Sequence, residues 1–491
     1  MSSGWLEFVC SVPANPFYAL VVERAAKFQR PLFTPLIGGR LCSLSAEPMH
    51  LFDRFQHRAV SIIPGDVEKT MDSLALEKNY CAPNYAALPV VLTRGKGVWL
   101  WDAGGKKYLD MMSAYSAVSH GHGHPRILAA LTRQAENLAV ASRAFHTDQL
   151  GPFLEQLCHV TGLDAACPMN TGAEAVETAI KAARRWGYRV KQIPADRAQI
   201  MVAGGNFHGR TTTIVGFSDE EAYRDGFGPF TPGFVRVPFG DAAIVEQSIT
   251  ADTCALLVEP IQGEAGIRVP PEGWLRQLRA ICDRHEVLLI LDEIQSGLGR
   301  TGRWFAWQHE GIQPDAACLG KALGGGVLPV SAFVARRDVI ELLTPGSHGS
   351  TFGGNPLAAA VGLEALRVIE EEQLVERSAE LGEFLLRRLR EITSPLIRDV
   401  RGKGLWIGVE FDPLHVWAKE VCVRLARRGV LTKETHETTV RFAPPLVITH
   451  AELEWALEQF TLVVNELERD LALTSPLGDR RPKIAAMAAH S

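Results

Sequence analysis

One stretch of sequence decides how the fold is interpreted and contains the candidate chemistry: Val287–Lys321, VLLILDEIQSGLGRTGRWFAWQHEGIQPDAACLGK. The segment begins with an apolar run of strand length that ends in the acids Asp292 and Glu293, and a second apolar stretch precedes Lys321. In open α/β sheets, ligands bind beyond the carboxyl ends of the strands, so two such ends can meet over one ligand. An acid after one strand and a lysine after the next therefore predict a ligand site at a sheet edge.

Asp292 and Lys321 have the side chains that pyridoxal phosphate requires. A lysine amine can bind the cofactor aldehyde covalently, and an aspartate facing the pyridine nitrogen keeps that nitrogen protonated. For this pair taken by itself, the alternatives are an ordinary ion pair or two unrelated loop residues. The surrounding sequence has to decide between these interpretations.

That surrounding sequence resembles the class III, or omega, aminotransferases. The resemblance covers roughly Asn79 to Glu466, through DEIQSGLGRTGRW, LGKALGGG, HGSTFGGNP, NTGAEAVETAIKAARRWGY and VEPIQGEAG. Within the class, NYAALPVVLTRGKGVWLWD, GNFHGRT, YRDGFGPFTPGF and VRFAPPLVI are similar to the ornithine aminotransferase branch. The resemblance implies an α/β protein of fold type I, with a mostly parallel central sheet, helices on both faces and a smaller α+β domain.

Size and charge argue against several other classes of protein. A chain of 491 residues exceeds one ordinary core, and 46% hydrophobic with 22% charged residues is typical of globular proteins. The net charge of −5, without a basic stripe, predicts no nucleic-acid partner. No apolar run approaches the ~18 residues of a membrane span. Nine scattered cysteines favour a reducing compartment, so we expect a cytoplasmic protein, with the mitochondrial matrix as the alternative.

The chain is divided into five predicted parts. These are an extension of unknown role (1–73), an N-terminal segment of the smaller domain (74–130), the large cofactor-binding domain (131–395), a C-terminal α+β part (396–470) and a flexible tail (471–491). The extension is richer in Arg and Lys than in acids, as organelle-targeting segments are, but Glu7, Glu23, Glu47 and Asp53 depart from that pattern. A loosely ordered extension and an upstream start of translation are the alternatives.

The region before the first long helix contains short strands and three histidines. Leu88–Asp110 predicts strands joined by tight turns, and Pro125 is suited to the first turn of a helix. His120, His122 and His124 precede that helix, and we expect each imidazole to be hydrogen-bonded locally. Zinc binding is the alternative for them, although no Cys or Asp cluster is nearby and no metal is expected.

The clearest helix start in the sequence is NTGAEAVETAIKAARRWGY, which begins at Asn170. Asn, Thr and Gly precede apolar residues at helical spacing, and Glu174 and Glu177 occupy the early turns, where the helix dipole favours anions. Free N–H groups at such a terminus bind phosphate. The family places the cofactor phosphate on residues that match Gly172 and Ala173, and an ordinarily capped helix is the alternative.

The resemblance implies roles for four further cofactor contacts. Lys321 matches the lysine that binds the cofactor and then moves a proton, and Asp292 matches the partner of the pyridine nitrogen. Gln295 would hydrogen-bond the phenolic oxygen of the cofactor. Phe207 would stack its apolar face on the pyridine ring.

Three other positions bear on the assembly and on the pocket. Ser350 and Thr351 match residues that reach the phosphate from the neighbouring subunit, which implies a homodimer with active sites at the interface. His208 stands where the ornithine branch commonly has Trp, so a more polar pocket wall is expected there.

The substrates implied by the resemblance are L-ornithine and 2-oxoglutarate. Arg210 matches the arginine that binds the far carboxylate of either substrate through a bidentate fork. Arg441 matches a second arginine, for the α-carboxylate of 2-oxoglutarate, and Glu264 matches the acid that pairs with it beforehand. Tyr85 matches an acceptor for the α-ammonium of ornithine, and Tyr115 an aromatic wall beside it.

The reaction implied is transfer of the δ-amino group of ornithine to 2-oxoglutarate. Its products are glutamate and glutamate 5-semialdehyde, which cyclises to pyrroline-5-carboxylate. The nearest alternatives are 4-aminobutyrate and acetylornithine aminotransferases of the same class, which differ mainly at Tyr85 and Tyr115. A non-catalytic dimer is a further alternative, but its expected mark is loss of Lys321 or Asp292, and both are present.

Overall fold

A computed structural model describes residues 73–474. The predictions for residues 1–72 and 475–491 therefore lie outside the described residues. Strands of the described part are β1 (Leu92–Lys96), β2 (Trp99–Asp102), β3 (Lys107–Asp110), β4 (Ala165–Met169), β5 (Gln199–Ala203), β6 (Phe234–Val237), β7 (Thr253–Val258), β8 (Leu288–Asp292), β9 (Ala316–Leu319), β10 (Ser331–Ala335), β11 (Ile397–Gly402), β12 (Ile407–Phe411), β13 (Val430–Leu431), β14 (Lys433–Thr435) and β15 (Thr439–Phe442).

Helices lie between many of these strands. They are α1 (73–80), α2 (Pro125–Asn137), α3 (Leu150–Thr161), α4 (Gly172–Arg189), α5 (Thr212–Val215), α6 (Glu221–Arg224), α7 (Ala242–Ser248), α8 (Trp274–Arg284), α9 (Arg337–Ile340), α10 (Pro356–Glu371), α11 (Leu374–Arg390), α12 (Ala418–Arg427) and α13 (His450–Thr474). Short 3-10 turns span Ala306–Glu310 and Lys321–Gly324. The α2 helix has Pro125 at its start, as predicted.

A seven-stranded sheet carries the candidate site, with strand order β4-β10-β9-β8-β7-β5-β6. The pairs β5–β6, β5–β7, β7–β8 and β8–β9 are parallel, and β10 is antiparallel to both β4 and β9. This confirms the mostly parallel sheet. Strands β7 and β8 are buried along their whole length because both faces of the sheet are covered. Leu289 and Leu291 of β8 point into one apolar cluster, whereas Leu288 and Ile290 point into another.

Two four-stranded sheets form the remainder, in the orders β1-β2-β3-β13 and β11-β12-β15-β14. The first joins distant parts of the chain, because β13 pairs in parallel with β3 and aligns Val430 with Leu109. The N-terminal segment therefore packs with the C-terminal one, as the predicted smaller domain requires. The boundaries of the five predicted parts stay predictions.

The histidine prediction needs a correction. His120, His122 and His124 are hydrogen-bonded, but not locally. His120 Nε2 lies 3.0 Å from the carbonyl oxygen of Ala365, and His124 Nε2 lies 3.1 Å from Glu372 Oε1. His122 Nε2 lies 2.7 Å from Asp110 Oδ2. The three imidazoles thus join separate elements, which their sequence spacing does not reveal.

The structure describes residues 73–474 without a metal cluster or a membrane-spanning helix. Within that range, no group of three or more His, Cys, Asp or Glu side chains is placed to hold a metal ion. None of the helices described there combines the length and the hydropathy of a membrane span.

Candidate active site

Lys321 lies two residues beyond the end of β9 and has a strained backbone. Its φ of 46° lies in the left-handed region, which costs a non-glycine residue of order 1–3 kcal/mol. The side chain is partly buried, and no described residue accepts a hydrogen bond from it or forms an ion pair with it. Burial lowers the pKa of Lys321, against the smaller opposing influence of the Glu264 and Asp292 charges. A free amine of lowered pKa is suited to nucleophilic attack.

Asp292, the last residue of β8, is buried and held at both carboxylate oxygens. Its Oδ2 lies 2.6 Å from Nδ1 of His208, and its Oδ1 accepts a hydrogen bond of 3.1 Å from the backbone N–H of Ile294. Burial alone would lower the pKa of His208, but the hydrogen bond and charge of Asp292 outweigh it and raise that pKa. The contacts with His208 and with the backbone N–H of Ile294 therefore fix the orientation of the Asp292 carboxylate.

His208 lines the same cavity as Asp292 and Lys321, and it also contacts Asp292. Its side chain is completely buried, and Nε2 has no hydrogen-bond partner among the described residues. The expectation of a more polar wall at this position stays a prediction, and the contact with Asp292 adds a second role for the imidazole. His208 was not predicted to contact Asp292, and a separation of 84 residues offers no local signal for the contact.

A cavity of about 190 Å³ lies between the ends of β8 and β9 and the start of α4. The predicted cofactor residues that line it are Gly172, Ala173, Phe207, Asp292, Gln295 and Lys321. The fold thus brings together predicted residues from four separate stretches of sequence. Glu259 and Ile294 also line the cavity and were not predicted.

The start of α4 presents backbone donors to this cavity. The helix starts where the motif predicted, and Thr171 caps it through a reciprocal capping box with Glu174. No described residue accepts a hydrogen bond from the N–H groups of Gly172 or Ala173. A Cβ at Gly172 would lie 2.9 Å from Ile294 Cδ1, so only glycine fits without displacing that side chain. Together these features form an anion site at the helix N-terminus.

Glu259 is a buried acid that the sequence analysis missed. It comes directly after the last residue of β7, whereas Asp292 is the last residue of β8, so the same rule of strand ends could have found it. Its carboxyl group accepts hydrogen bonds from the backbone N–H groups of Phe207, at 3.0 Å, and Gly263, at 3.3 Å. Burial raises the pKa of Glu259 to about 7. Glu259 therefore connects the loop that carries Phe207 to the loop that carries Glu264.

Arg441 and Glu264 form the ion pair that the motifs implied. Nη1 of Arg441 lies 2.8 Å from Oε1 of Glu264, and Arg441 is buried on β15 whereas Glu264 is partly exposed. The guanidinium carbon of Arg441 lies 5.0 Å from the ring centre of Tyr115. Tyr115 belongs to a turn, Ser113–Ser116, in which all four φ angles lie between 45° and 70°. This strained turn places the aromatic ring against the arginine.

Arg210 is exposed and has no carboxylate partner among the described residues. Its guanidinium carbon lies 4.2 Å from the ring centre of Tyr223 and 5.8 Å from that of Phe207. Tyr223 was not predicted as a site residue. Arg210 is thus a cation that is held by aromatic rings and remains available to an anion.

Besides Tyr115, Arg210, Glu264 and Arg441, three more predicted residues lie outside the cavity lining, and these are Tyr85, Ser350 and Thr351. Tyr85 is 75% exposed and Thr351 is exposed. Ser350 Oγ accepts hydrogen bonds from Asn170 Nδ2, at 2.9 Å, and from the N–H of Gly353, at 3.0 Å. Their predicted roles toward the α-ammonium and toward the phosphate of a neighbouring subunit stay predictions.

The residues present fit pyridoxal phosphate. The cavity combines an amine without a partner, a carboxylate at a strand end, the face of Phe207 and two unpaired N–H groups at a helix start. Lys321 would hold the aldehyde carbon, Asp292 the pyridine nitrogen, and Gly172 with Ala173 the phosphate.

Comparisons with known proteins agree with this geometry. The family model described as aminotransferase class-III matches residues 80–464. The ornithine aminotransferase of Halalkalibacterium halodurans is 56% identical over 394 residues, which are 80% of this chain and 98% of that protein. An ornithine aminotransferase structure from Toxoplasma gondii is 41% identical to this chain, with a TM-score of 0.81. The match covers 84% of this chain and 100% of that one, and the active site of that structure is partly occupied by pyridoxal phosphate. The acetylornithine aminotransferase structure from Elizabethkingia anophelis is 46% identical with a TM-score of 0.75, covering 81% and 99%.

Proposed function

This chain belongs to the class-III aminotransferases, and we propose that it is an ornithine δ-aminotransferase dependent on pyridoxal phosphate. It transfers the δ-amino group of L-ornithine to 2-oxoglutarate, and it releases glutamate 5-semialdehyde and glutamate. When bound, the cofactor supplies an electron sink for the bonds that break at the amine-bearing carbon. Lys321 moves the proton at that carbon, because its amine is buried and less readily protonated than usual.

The Arg441–Glu264 ion pair is the observation that carries this proposal. An ornithine aminotransferase must bind an α-carboxylate beside the cofactor when 2-oxoglutarate enters, but must present no free arginine there when the δ-amine of ornithine enters. Glu264 neutralises Arg441 during the first half-reaction. The carboxylate of 2-oxoglutarate then replaces Glu264, which is partly exposed and free to move aside.

Arg210 supports the same assignment from the other end of the substrate. Its exposed guanidinium, which lacks a carboxylate partner in the described range, binds the far carboxylate of ornithine or of 2-oxoglutarate. Both substrates then place their reacting carbon toward Lys321, so one site serves the two half-reactions in turn.

Acetylornithine aminotransferase is the second candidate, because the Elizabethkingia anophelis structure of that name is 46% identical to this chain. The two substrates differ in the α-nitrogen, which is a cation in ornithine and a neutral amide in acetylornithine. Tyr85, as an acceptor for an ammonium group, favours ornithine.

The assembly and compartment are also part of the proposal. We propose a homodimer in which Ser350 and Thr351 contact the phosphate of the partner site. The exposed Phe352 beside them supports a contact surface there, since it is 54% exposed. Free thiols at all seven described cysteines support a cytoplasmic enzyme.

The test is a substrate comparison on the purified holoenzyme. Ornithine, N-acetylornithine and 4-aminobutyrate are supplied separately with 2-oxoglutarate, and kcat/KM is measured for each. We expect ornithine to exceed both others at least about tenfold, and pyrroline-5-carboxylate to be trapped as its product. Lys321→Ala is the control and should show no transamination. A higher kcat/KM with N-acetylornithine would establish the second candidate instead.

A further inference from the structure

We infer that Tyr223 is a positioning residue that holds the guanidinium of Arg210 ready for the substrate carboxylate. The inference rests on the proposed function and adds a determinant of specificity to it. Tyr223 selects for amines that carry a carboxylate at the end remote from the reacting amine.

The first support is the contact between the arginine and the ring. The guanidinium carbon of Arg210 lies 4.2 Å from the ring centre of Tyr223. An exposed arginine has many rotamers, and ordering it costs entropy when a substrate binds. A guanidinium that rests on a ring face keeps its N–H edge free for a bidentate contact with a carboxylate. Tyr223 therefore removes part of that entropic cost in advance.

The second support is the contact between Tyr223 and the predicted cofactor-facing ring. The centres of Phe207 and Tyr223 lie 6.0 Å apart, and their planes meet edge to face at 74°. The ring of Tyr223 thus contacts both the guanidinium of Arg210 and the ring of Phe207, and it fixes the position of one relative to the other. Because Phe207 lines the cavity, the carboxylate site is placed at a defined distance from the reacting atoms.

The third support is the attachment of the Tyr223 segment. Tyr223 lies in α6, and its backbone N–H donates to the carbonyl oxygen of Glu220 at 3.1 Å. Just ahead of this helix, Asp219 Oδ2 accepts a 2.6 Å hydrogen bond from the N–H of Gly205, and Asp219 Oδ1 lies 2.5 Å from Arg236 Nη1. Since Gly205 begins the loop that leads to Phe207 and Arg210, helix α6 is tied to the same loop.

The experiment compares ornithine with 1,4-diaminobutane, which is ornithine without its carboxylate. Tyr223→Leu removes the ring, and Tyr223→Phe keeps the ring and removes the hydroxyl. We expect Tyr223→Leu to raise the KM for ornithine about tenfold with kcat changed less than about twofold, and to leave kcat/KM for diaminobutane unchanged. Tyr223→Phe should stay within about twofold of wild type for both amines. Tyr188→Leu, the same substitution at a half-buried position near the end of α4, is the matched control and should leave KM and kcat/KM for both amines unchanged.

A binding measurement gives a readout that does not depend on turnover. Pentanoate has a carboxylate and no amine, and its dissociation constant is measured on the holoenzyme by the cofactor absorbance. Tyr223→Leu should weaken pentanoate binding about tenfold, and Tyr223→Phe about twofold at most.

Three results distinguish failure of this inference from failure of the proposed function. Equal losses of kcat/KM on both amines in Tyr223→Leu would overturn the inference, because a general structural defect would explain them. Equal losses of kcat/KM for ornithine in Tyr223→Phe and Tyr223→Leu would overturn the role of the ring face. A wild-type enzyme that binds pyridoxal phosphate but does not convert ornithine would reject the proposed function, and the pentanoate titration would still decide whether Tyr223 holds Arg210.

Discussion

Glu293 and Asp292 are adjacent acids at one strand end, and the structure gives them different surroundings. Asp292 lines the cavity, whereas Glu293 accepts hydrogen bonds from Ser296 Oγ, at 2.6 Å, and from the N–H of Trp307, at 3.1 Å. Burial raises the pKa of Glu293 to about 7. Glu293 is therefore the residue that shapes the turn after β8, in which Gln295 lies.

The pH dependence of Glu293→Gln follows from this raised pKa. A carboxyl group whose pKa is about 7 when folded and about 4.5 when unfolded costs the folded state increasing free energy as pH rises between those values. The glutamine variant avoids this cost but loses an acceptor. We expect its free energy of unfolding to be lower than that of wild type at pH 5. This difference between the two proteins should shrink by up to ~3 kcal/mol at pH 8. Thermal unfolding of both proteins from pH 5 to 8 measures the gap.

Glu380→Gln, on the exposed side of α11, controls for the loss of one charge in that series. A stability gap that widens as pH rises would contradict the assignment of a raised pKa to Glu293.

At the scale of elements, the start of α4 depends on close contact with the turn after β8. We predict that Gly172→Ala weakens cofactor binding about tenfold without unfolding the protein, because the new methyl group displaces Ile294 toward the cavity. Titration of the apoprotein with pyridoxal phosphate measures the dissociation constant. Gly151→Ala in α3, where a Cβ meets no atom within 4 Å, is the matched control. Unchanged cofactor affinity in Gly172→Ala would show that Ile294 has room to move elsewhere.

Arg300 is the residue that fixes the strained turn carrying Tyr115. Its completely buried guanidinium donates to the carbonyl oxygens of Leu405, at 2.9 Å, and Pro444, at 2.6 Å. It also donates to Ser113 Oγ, at 3.1 Å, and Ser119 Oγ, at 3.0 Å. Pro444 lies three residues after Arg441, so Arg300 joins the turn to the segment that follows the substrate-binding arginine.

We predict that Arg300→Met destabilises the protein by ~3 kcal/mol or more, since four buried acceptors lose their charged donor. Denaturant unfolding at fixed protein and cofactor concentration measures this change. Arg303→Met, three residues away and exposed, should shift the free energy of unfolding by less than ~0.5 kcal/mol. Similar losses in both variants would show that Arg300 has no special role.

At the scale of the whole molecule, the proposed homodimer can be tested by mixing two inactive variants. Lys321→Ala lacks the amine, and Thr351→Glu places an acid where the partner's phosphate is proposed to lie. Thr351 is exposed, so the substitution should leave the fold of its own subunit intact. After random exchange of subunits, we expect about one quarter of the wild-type activity, because each mixed dimer has one complete site.

Native mass spectrometry of the mixture, whose two variants differ in mass, calibrates the exchange through the fraction of mixed dimers. Absence of recovered activity, under conditions in which that calibration shows exchange, would place Thr351 outside the partner's site.

Much of the architecture could be predicted from local sequence pattern. The buried strands β7 and β8, the capping box before α4 and the lysine after β9 each depend on residues a few positions apart. Their periodicity, caps and strand ends are therefore visible in the sequence. The cofactor residues were found because motifs of known families preserve those same short spacings.

Tertiary structure alone decided which side chains support the site. The contact of His208 with Asp292, the ring of Tyr223 under Arg210 and the hydrogen bonds of Arg300 to Ser113 join segments that are remote in sequence. Local pattern alone did not tell which of the neighbouring acids Asp292 and Glu293 faces the cavity, and only the family resemblance pointed to Asp292. Such pairings follow from how the elements pack, and local spacing carries no record of which side chain a distant loop will bring into hydrogen-bonding distance.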